Sequence, residues 1–441
     1  MKKLLTLILV LAIAAMTAFA LAENASDLFT RGVDAYHSGD YAAAAEFFSR
    51  AAELGHVTAK NTLGVMYRDG DGVEQSYETA ATYFRQAADA GNVNAQYNLA
   101  VLYQYGNGVE QSWEQAEAYY RLAAAQGFAN AQYNLGVMYR DGAGVEQSYE
   151  KALEYFGMAA DTGSDDAQYN LGVMYARGMG VEQSWEQAAE YLRPAAEQGH
   201  VEAAYFMGNL YYRGDGVEQS FEQAAKYYAI AADQGYTNAQ FNLGVMYNNG
   251  EGVEPSSEKA AEYFTLAADK GDATAQFYIG NMYSNGEGVE QSYELALKYY
   301  TMSADQGNAK AQLYIGNMYW NGDGVEQSYE SAGKYYTMSA DQGNARAQYY
   351  LGGMYRNGTG VEQSLEKALE YYELAAGQDD VKALAKLGEM YEKGIGVEQS
   401  CETAARYYWK GYKLGDADCQ MRLGELYQDG RIAPDFNPGA E

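Results

Sequence analysis

The strongest constraint on this chain is a 36-residue repeat that runs along it without insertion or deletion. A leucine-glycine step at Leu63-Gly64 returns at Leu135-Gly136 and, with conservative replacements, in every other repeat. A second signature, Gly72-Val73-Glu74, occurs ten times at the same spacing and ends at Gly396-Val397-Glu398. Repeats of this length form extended arrays in which each unit packs mainly on its neighbours. The period therefore predicts a solenoid rather than several globular domains.

Each repeat reads as two helices separated by a glycine turn. Residues 94–105 have a helical apolar pattern, Gly106 to Gly108 form a turn, and residues 112–126 form a second helix that Gly127 ends. Serine occupies the N-cap position of the second helix ten times, from Ser76 to Ser400. Asp379 replaces the closing glycine once, which predicts a less favourable helix end there.

These segments resemble the Sel1-like repeat family, a relative of the tetratricopeptide repeat. Residues 131–139 are similar to the first helix of that repeat, Gly142 to Val145 to its turn, and residues 151–160 to its second helix. Residues 26–55 resemble a plainer tetratricopeptide pair. The resemblance implies an all-α fold, a right-handed superhelical solenoid of antiparallel helix pairs that serves as a binding scaffold.

The ends of the chain differ from the repeats. Lys2 and Lys3, an apolar run from Leu4 to Phe19 and a small-residue site at 20–22 indicate an export signal over residues 1–22. An uncleaved membrane anchor is the alternative reading. The solenoid is predicted over residues 23–429, comprising the 26–55 pair, ten repeats and a capping helix, and residues 430–441 are predicted to form a flexible tail. Export leads to the periplasm, the cell envelope or the medium, without stable membrane insertion after cleavage.

The charge balance restricts the possible partners. The chain has 30 Lys and Arg against 60 Asp and Glu, a formal net charge of −30. An acidic surface repels phosphate backbones, so nucleic acid is not expected as a partner.

The inventory of reactive residues argues against catalysis. There are three histidines, His37, His56 and His200, and no nucleophile elbow, phosphate loop or zinc motif. Acidic turns such as residues 69–74 suggest calcium, but their glycines recur while their acids do not, which favours a backbone turn. Cys401 and Cys419 are expected to be free thiols at apolar positions, with a disulfide as the alternative. No catalytic residue, cofactor or metal is predicted.

The binding prediction comes from a helical wheel of the first helix. Ala95, Leu99 and Leu102 form its packing face, and methionine fills the Leu102 position in most other repeats. The opposite side, which the resemblance places in the concave groove, carries aromatics and amides that suit an extended peptide. The predicted binding residues are Tyr97, Asn98, Tyr133, Asn134, Tyr169, Asn170, Tyr205, Asn242, Tyr278, Tyr314, Asn317, Trp320 and Tyr350. The alternative is that these aromatics pack between neighbouring first helices.

The chemistry of this face changes along the array. Asn134 lies beside Val137 in one half of the chain, whereas Tyr314 lies beside Asn317 in the other. If packing does not require this exchange, the face presents two subsites with different preferences. The predicted function is binding of a protein or peptide ligand; the alternative is a cell-envelope glycan that stacks on exposed Tyr and Trp320.

Overall fold

The computed structural model describes residues 24–439. The predicted export signal at residues 1–22 lies outside them. Between residues 24 and 439 the chain forms 23 α-helices and no strand. The described residues divide into two compact units on either side of the boundary between Gln219 and Ser220, called here the N-terminal unit and the C-terminal unit.

Odd-numbered helices are the first helices of the repeats, called A helices, and even-numbered ones are the second, called B helices. The helices of the N-terminal unit are α1 Ala25–His37, α2 Tyr41–Glu53, α3 Val57–Asp69, α4 Tyr77–Asp89, α5 Val93–Tyr105, α6 Trp113–Ala125, α7 Ala129–Asp141, α8 Tyr149–Asp161, α9 Asp165–Arg177, α10 Trp185–Glu197 and α11 Val201–Arg213. Those of the C-terminal unit are α12 Phe221–Asp233, α13 Thr237–Asn249, α14 Ser257–Asp269, α15 Ala273–Asn285, α16 Tyr293–Asp305, α17 Ala309–Asn321, α18 Tyr329–Asp341, α19 Ala345–Asn357, α20 Leu365–Ala376, α21 Val381–Lys393, α22 Cys401–Lys413 and α23 Ala417–Gln428.

The recurring serines and glycines define the helix ends as predicted. The Ser112 hydroxyl accepts a hydrogen bond from the Gln115 amide at 3.2 Å and caps α6. Gly106 ends α5 at φ +74°, where its amide donates to the Leu102 carbonyl. The second turn glycine, Gly108, is needed for space, because a Cβ there would overlap the backbone of Tyr77 in the preceding B helix.

Asp379 is the one non-glycine residue with a positive φ, at +63°, between residues 24 and 439. The helix before it, α20, is one residue shorter than the other B helices that the structure describes. Left-handed backbone is unfavourable for a residue with a Cβ, so the predicted weak helix end is confirmed.

In most repeats the core contains a contact between a glycine in the A helix and a ring in the B helix; Ala100 replaces the glycine opposite Tyr120, and Leu192 replaces the ring opposite Gly172. A Cβ on Gly136 would lie 2.5 Å from Cδ1 of Phe156, so only glycine lets that ring lie directly on α7. Tyr139 on α7 stacks on Tyr155 of α8 with ring centroids 5.7 Å apart. Residues farther along α7 thus meet residues earlier on α8, as antiparallel helices do. The methionines at the Leu102 position are buried as predicted: Met66, Met138, Met174, Met246, Met282, Met318, Met354 and Met390.

Buried glutamines connect successive repeats within each unit. The Gln126 side-chain amide donates to Oε1 of Gln96 at 2.8 Å, joining the end of α6 to the preceding A helix. Equivalent pairs join Gln198 to Gln168, Gln306 to Gln276, Gln342 to Gln312 and Gln378 to Gln348. Thr162 and Lys270 replace the donor in two repeats, and there the buried Oε1 atoms of Gln132 and Gln240 have no hydrogen-bond partner.

The C-terminal segment packs on the last helices rather than extending freely. Ile432 is buried, the Tyr427 hydroxyl donates to the Phe436 carbonyl at 2.6 Å, and Arg431 forms an ion pair with Glu392 at 2.7 Å. The described part of the segment predicted as a flexible tail therefore departs from that expectation, because Ile432 and Phe436 supply apolar side chains that cover the exposed end of the core.

The two cysteines lie near opposite ends of α22. Cys401 is its first residue, whereas the buried Cys419, which belongs to α23, lies against Gly411, about 15 Å farther along α22. Burial raises the pKa of the Cys419 thiol to about 12, so that side chain behaves as a small apolar group.

Supplying the missing glutamine donor should stabilise the N-terminal unit. We expect Thr162→Gln to donate to Oε1 of Gln132 as Gln126 does to Gln96, removing an unsatisfied buried acceptor that costs about 1–3 kcal/mol. Urea denaturation should show a higher unfolding midpoint. The matched control, Gln126→Thr, should lower it. Unchanged midpoints in both variants would show that the glutamine pairs do not stabilise the contacts between repeats.

Candidate functional site

The predicted binding face is the row of A-helix side chains that starts with Tyr97 and Asn98. In the N-terminal unit its tyrosines are half-buried. The Tyr97 ring packs on Tyr120 of α6 and on Phe128, with centroid distances of 5.8 and 5.1 Å. Tyr133 packs on Phe156 in the same way at 5.7 Å. These rings fill the spaces beside the buried B-helix rings, so much of their area is structural.

Tyr169 and Tyr205 occupy the same position in the next two repeats and are also half-buried. The Tyr169 ring stacks on His200 with centroids 4.7 Å apart. The His200 imidazole also caps α11, because its Nδ1 accepts the Ala203 amide at 3.2 Å. His56 caps α3 through Ala59 at 3.1 Å. Both histidines therefore have local structural roles that the sequence analysis did not anticipate.

The asparagines of the face differ in their availability. Asn98 is half-buried and donates to Asn61 at 3.2 Å, while Asn134 and Asn242 are half-buried. Asn170 departs from the prediction of a ligand-contacting group, since it is only 7% exposed. It donates to the Asp166 carbonyl at 2.8 Å and accepts a hydrogen bond from Arg140, so its polar atoms are already engaged.

The C-terminal unit presents tyrosines with one open ring face. Tyr278 and Tyr314 are 38% and 40% exposed, and Tyr350 is half-buried. Each ring packs on the buried B-helix ring of the preceding repeat: Tyr278 on Phe264 at 5.1 Å, Tyr314 on Tyr300 at 5.5 Å and Tyr350 on Tyr336 at 5.2 Å. The core thus holds one side of each ring; Tyr278 and Tyr314 stay exposed, whereas Arg346 lies over the Tyr350 ring.

The exchange of valine for asparagine along the face has a packing cause. The Tyr336 hydroxyl donates to Asn317 Oδ1 at 2.9 Å, and Tyr300 donates to Asn281 at 2.7 Å. Where the buried ring is a phenylalanine without a hydroxyl, the same position is valine: Val65 with Phe84, Val137 with Phe156 and Val245 with Phe264. Packing therefore accounts for Asn281 and Asn317, but it does not account for the whole exchange, because the buried Tyr120 faces Val101 and donates to Gln104 instead. Asn317 is committed to the core by its bond to Tyr336.

Gly353 breaks this rule in the C-terminal unit. It occupies the position of Asn317 one repeat later, beside Tyr372, and so offers that hydroxyl no acceptor side chain. A Cβ at Gly353 would meet only the Tyr372 hydroxyl, at 3.6 Å. Neither the backbone nor a close neighbour requires glycine here. Gly353 lies in the lining of a cavity of about 220 Å³, together with Trp320, Tyr349, Tyr350, Met354, Arg356, Asn357, Tyr372 and Lys386.

The cavity wall is cationic although the chain is acidic. Arg356 forms two 3.2 Å hydrogen bonds to Glu389, and Lys386 and Lys393 pair with the same carboxylate at 3.2 and 3.0 Å. Burial alone would raise the pKa of Glu389, but the hydrogen bonds from Arg356, Lys393 and Lys386 outweigh it and bring the pKa down to about 2. Three cations therefore share one carboxylate. Sequence reasoning missed this site, although Gly353 in a row of Val and Asn was a visible signal.

Trp320 lies at the edge of the same cavity. Its ring packs edge-on against Tyr329 with centroids 4.8 Å apart, and the side chain is half-buried. It therefore supplies an apolar wall rather than a fully open stacking platform.

The N-terminal unit also has a cavity on its A helices, of about 410 Å³, lined by Arg140, Asp141, Gln147, Tyr149, Asn170, Val173, Met174, Arg177 and Met179. Arg140 occupies the same repeat position as Arg356, but it is held by Asp141 of its own turn at 2.7 and 2.8 Å. Asn357 replaces that aspartate beside Arg356, so the Arg356 side chain turns to the next repeat instead.

Residues 24–439 lack the features of two other classes of site. No group of three or more His, Cys, Asp or Glu side chains is placed to hold a metal ion within this range. No helix in this part of the chain is long and apolar enough to cross a membrane.

Comparison with known proteins identifies the family. The Sel1 repeat model matches residues 17–56, 59–92, 93–128, 129–164, 165–200, 201–236, 237–272, 273–308, 309–344, 345–380, 381–416 and 417–437. The chain therefore belongs to the Sel1 repeat family. The predicted fold class, an all-α solenoid of paired helices, is confirmed.

Two solved structures resemble the chain over most of its length. One is a protective antigen of uropathogenic Escherichia coli strains that displays an SLR fold: identity is 31%, the match covers 96% of this chain and 91% of that one, and the TM-score is 0.82. The other is a Sel1 repeat protein from Oxalobacter formigenes, with 30% identity, coverage of 74% and 93%, and a TM-score of 0.58. A search of curated proteins finds no significant match.

The pairing of ring and acceptor can be tested by a double-mutant cycle. Asn317→Val should lower the free energy of unfolding by about 1–3 kcal/mol, because the Tyr336 hydroxyl loses its acceptor. Adding Tyr336→Phe should restore most of that loss, since the pair then matches Val245 and Phe264. The readout is the unfolding midpoint in urea. Additive losses in the double variant would mean that the two positions are independent and that packing does not explain the exchange.

Proposed function

We propose that this chain binds an extended peptide, or an extended segment of a partner protein, across the A helices of its C-terminal unit. A Sel1 repeat solenoid is typical of protein-protein interaction scaffolds, and such scaffolds are generally not catalytic. The observation that carries the proposal is the row formed by Tyr278, Tyr314 and Tyr350. Each ring packs on a buried core ring, and Tyr278 and Tyr314 keep 38% and 40% of their surface exposed.

Aromatic rings held in this way suit ligand binding. These side chains are already ordered, so they lose little conformational entropy when a ligand covers the exposed face. The contact therefore contributes more to affinity than a contact with a mobile side chain would. Successive A helices touch through these rings, since Phe277 and Tyr314 lie 5.4 Å apart. Packed helices are about 8–10 Å apart, and three residues of an extended chain span about 10 Å. A ligand with apolar side chains at every third position would match this row.

The predicted residues contribute unequally to this proposal. The main proposed contacts with the ligand are Tyr278, Tyr314, Tyr350 and Trp320. Two predicted residues, Asn170 and Asn317, are instead hydrogen-bonded within the protein. The other predicted residues are half-buried and remain candidate contacts through their partly exposed edges: Tyr97, Asn98, Tyr133, Asn134, Tyr169, Tyr205 and Asn242. A glycan ligand is an alternative outcome of the test rather than a second proposal, because no observation favours it.

Export of the protein is also a proposal, because the predicted export signal at residues 1–22 lies outside the described residues. The acidic charge of the chain favours neutral or basic ligand segments along the open face. Protein for binding measurements is best taken from the exported fraction, where N-terminal sequencing should begin at Glu23.

The proposal predicts that Tyr278→Ala combined with Tyr314→Ala weakens binding of a random dodecapeptide pool. Truncation of a hot-spot aromatic costs about 2 kcal/mol or more, so affinity for selected peptides should fall about 30-fold. The affinity is measured by fluorescence anisotropy under conditions in which the variant is folded. Tyr412→Ala, a B-helix tyrosine of similar exposure at 42%, is the control and should bind normally. Equal affinities, or retention of purified polysaccharides instead of peptides, would contradict the proposal.

A further inference from the structure

The cavity at Gly353 has features that packing does not explain. Glycine inside a helix costs about 0.5–1 kcal/mol relative to alanine. At Gly353 nothing offsets that cost, since the backbone is helical and the nearest obstacle to a Cβ is 3.6 Å away. The equivalent positions in the two preceding repeats carry Asn281 and Asn317, which satisfy the buried tyrosine below them. Gly353 provides neither the helix stability of a residue with a side chain nor that hydrogen bond, and it lies in the wall of the cavity.

The floor of the cavity is a hydrogen-bond donor. Tyr372 is 2% exposed and lines the cavity; its hydroxyl accepts a hydrogen bond from Arg356, and no acceptor for its own proton is found among the described residues. Burial raises the pKa of Tyr372 to about 12, so the hydroxyl keeps its proton at neutral pH. A buried donor of this kind favours a ligand that brings an acceptor.

The wall adds further donors with positive charge. Arginine has five N–H donors and lysine three. Glu389 takes two from Arg356 and one from Lys386, and it does so from outside the cavity, since it is not among the lining residues. The carboxylate thus fixes both cations at the wall while leaving donors free. The neighbouring Arg346 lies over the rings of Tyr349 and Tyr350 and pairs with Asp380 at 3.8 Å.

We propose that the Gly353 cavity is a carboxylate-binding subsite, in which Arg356, Lys386 and the Tyr372 hydroxyl hold a carboxylate group of the bound peptide. Trp320 and Tyr350 form the apolar wall for the rest of that residue. The carboxylate belongs either to an Asp or Glu side chain or to the C-terminus of the ligand. This subsite rests on the proposed peptide binding and extends the row of Tyr278 and Tyr314 by one specific position.

The test uses three synthetic pools of N-acetylated random octapeptides. The first has free C-termini and no Asp or Glu; the second is amidated and contains Asp and Glu; the third is amidated and lacks both. Immobilised mature protein should retain the first or the second pool about tenfold better than the third, because a charge-assisted hydrogen bond contributes at least that much. Retention of the first pool identifies a C-terminal carboxylate, and retention of the second identifies an acidic side chain.

Two variants connect that preference to the cavity. Gly353→Asn should abolish the preference while raising the unfolding midpoint, since it fills the cavity and gives Tyr372 the acceptor that Asn317 gives Tyr336. Arg356→Gln should also abolish it. The matched control is Arg68→Gln, at the same repeat position but paired with Asp69 in its own turn, and it should keep the preference.

The outcomes separate the two proposals. Equal retention of all three pools, lost in the Tyr278→Ala and Tyr314→Ala double variant, would overturn the subsite and leave peptide binding in place. A preference that survives in folded Gly353→Asn would also overturn the subsite. Retention of none of the pools by the unmodified chain would overturn both.

Discussion

The contact between a glycine on the A helix and a ring on the B helix determines the rest of the structure. At Gly136 the Phe156 ring takes the place that a Cβ would occupy, and the same contact recurs from Gly32 with Phe48 to Gly388 with Tyr408. Because this contact places the two helices close together along their length, the flanking tyrosines, such as Tyr139 and Tyr155, stack on each other. The helix caps fix where each helix begins and ends, but this contact fixes how closely the pair packs.

The identity of the ring then decides what appears on the binding face. A phenylalanine is accompanied by valine at the facing position, whereas Tyr300 and Tyr336 donate to Asn281 and Asn317. In those two repeats the core and the surface are coupled through one tyrosine hydroxyl. Gly353 is informative for that reason, since it provides no acceptor for Tyr372 and lines a cavity beside cations. The rings of Tyr278 and Tyr314 extend the coupling by resting on the core rings of the preceding repeats.

Much of the fold could be predicted from the sequence because period, caps and apolar spacing are local signals. Helix 94–105 was placed within one residue of α5, and Asp379 was identified as a poor helix end. The binding face was harder, since a helical wheel gives a direction but not the neighbouring repeat. It could not show that Asn317 serves Tyr336 or that Asn170 is engaged by Arg140. The cationic cavity depends on the contact of Arg356 with Glu389 in the next repeat, which only the packed structure reveals.

The glycine-ring contact is tested most directly by two neighbouring glycine-to-alanine substitutions on one helix pair. Alanine is the better helix former, so Gly157→Ala, which meets nothing within 4 Å, should raise the unfolding midpoint, with a gain of about 0.5–1 kcal/mol. Gly136→Ala should lower it by about 1–3 kcal/mol, because Phe156 must move out of its place. Urea denaturation of the two variants should therefore give shifts of opposite sign. Stabilisation by both would contradict the account, since the ring would then not depend on glycine.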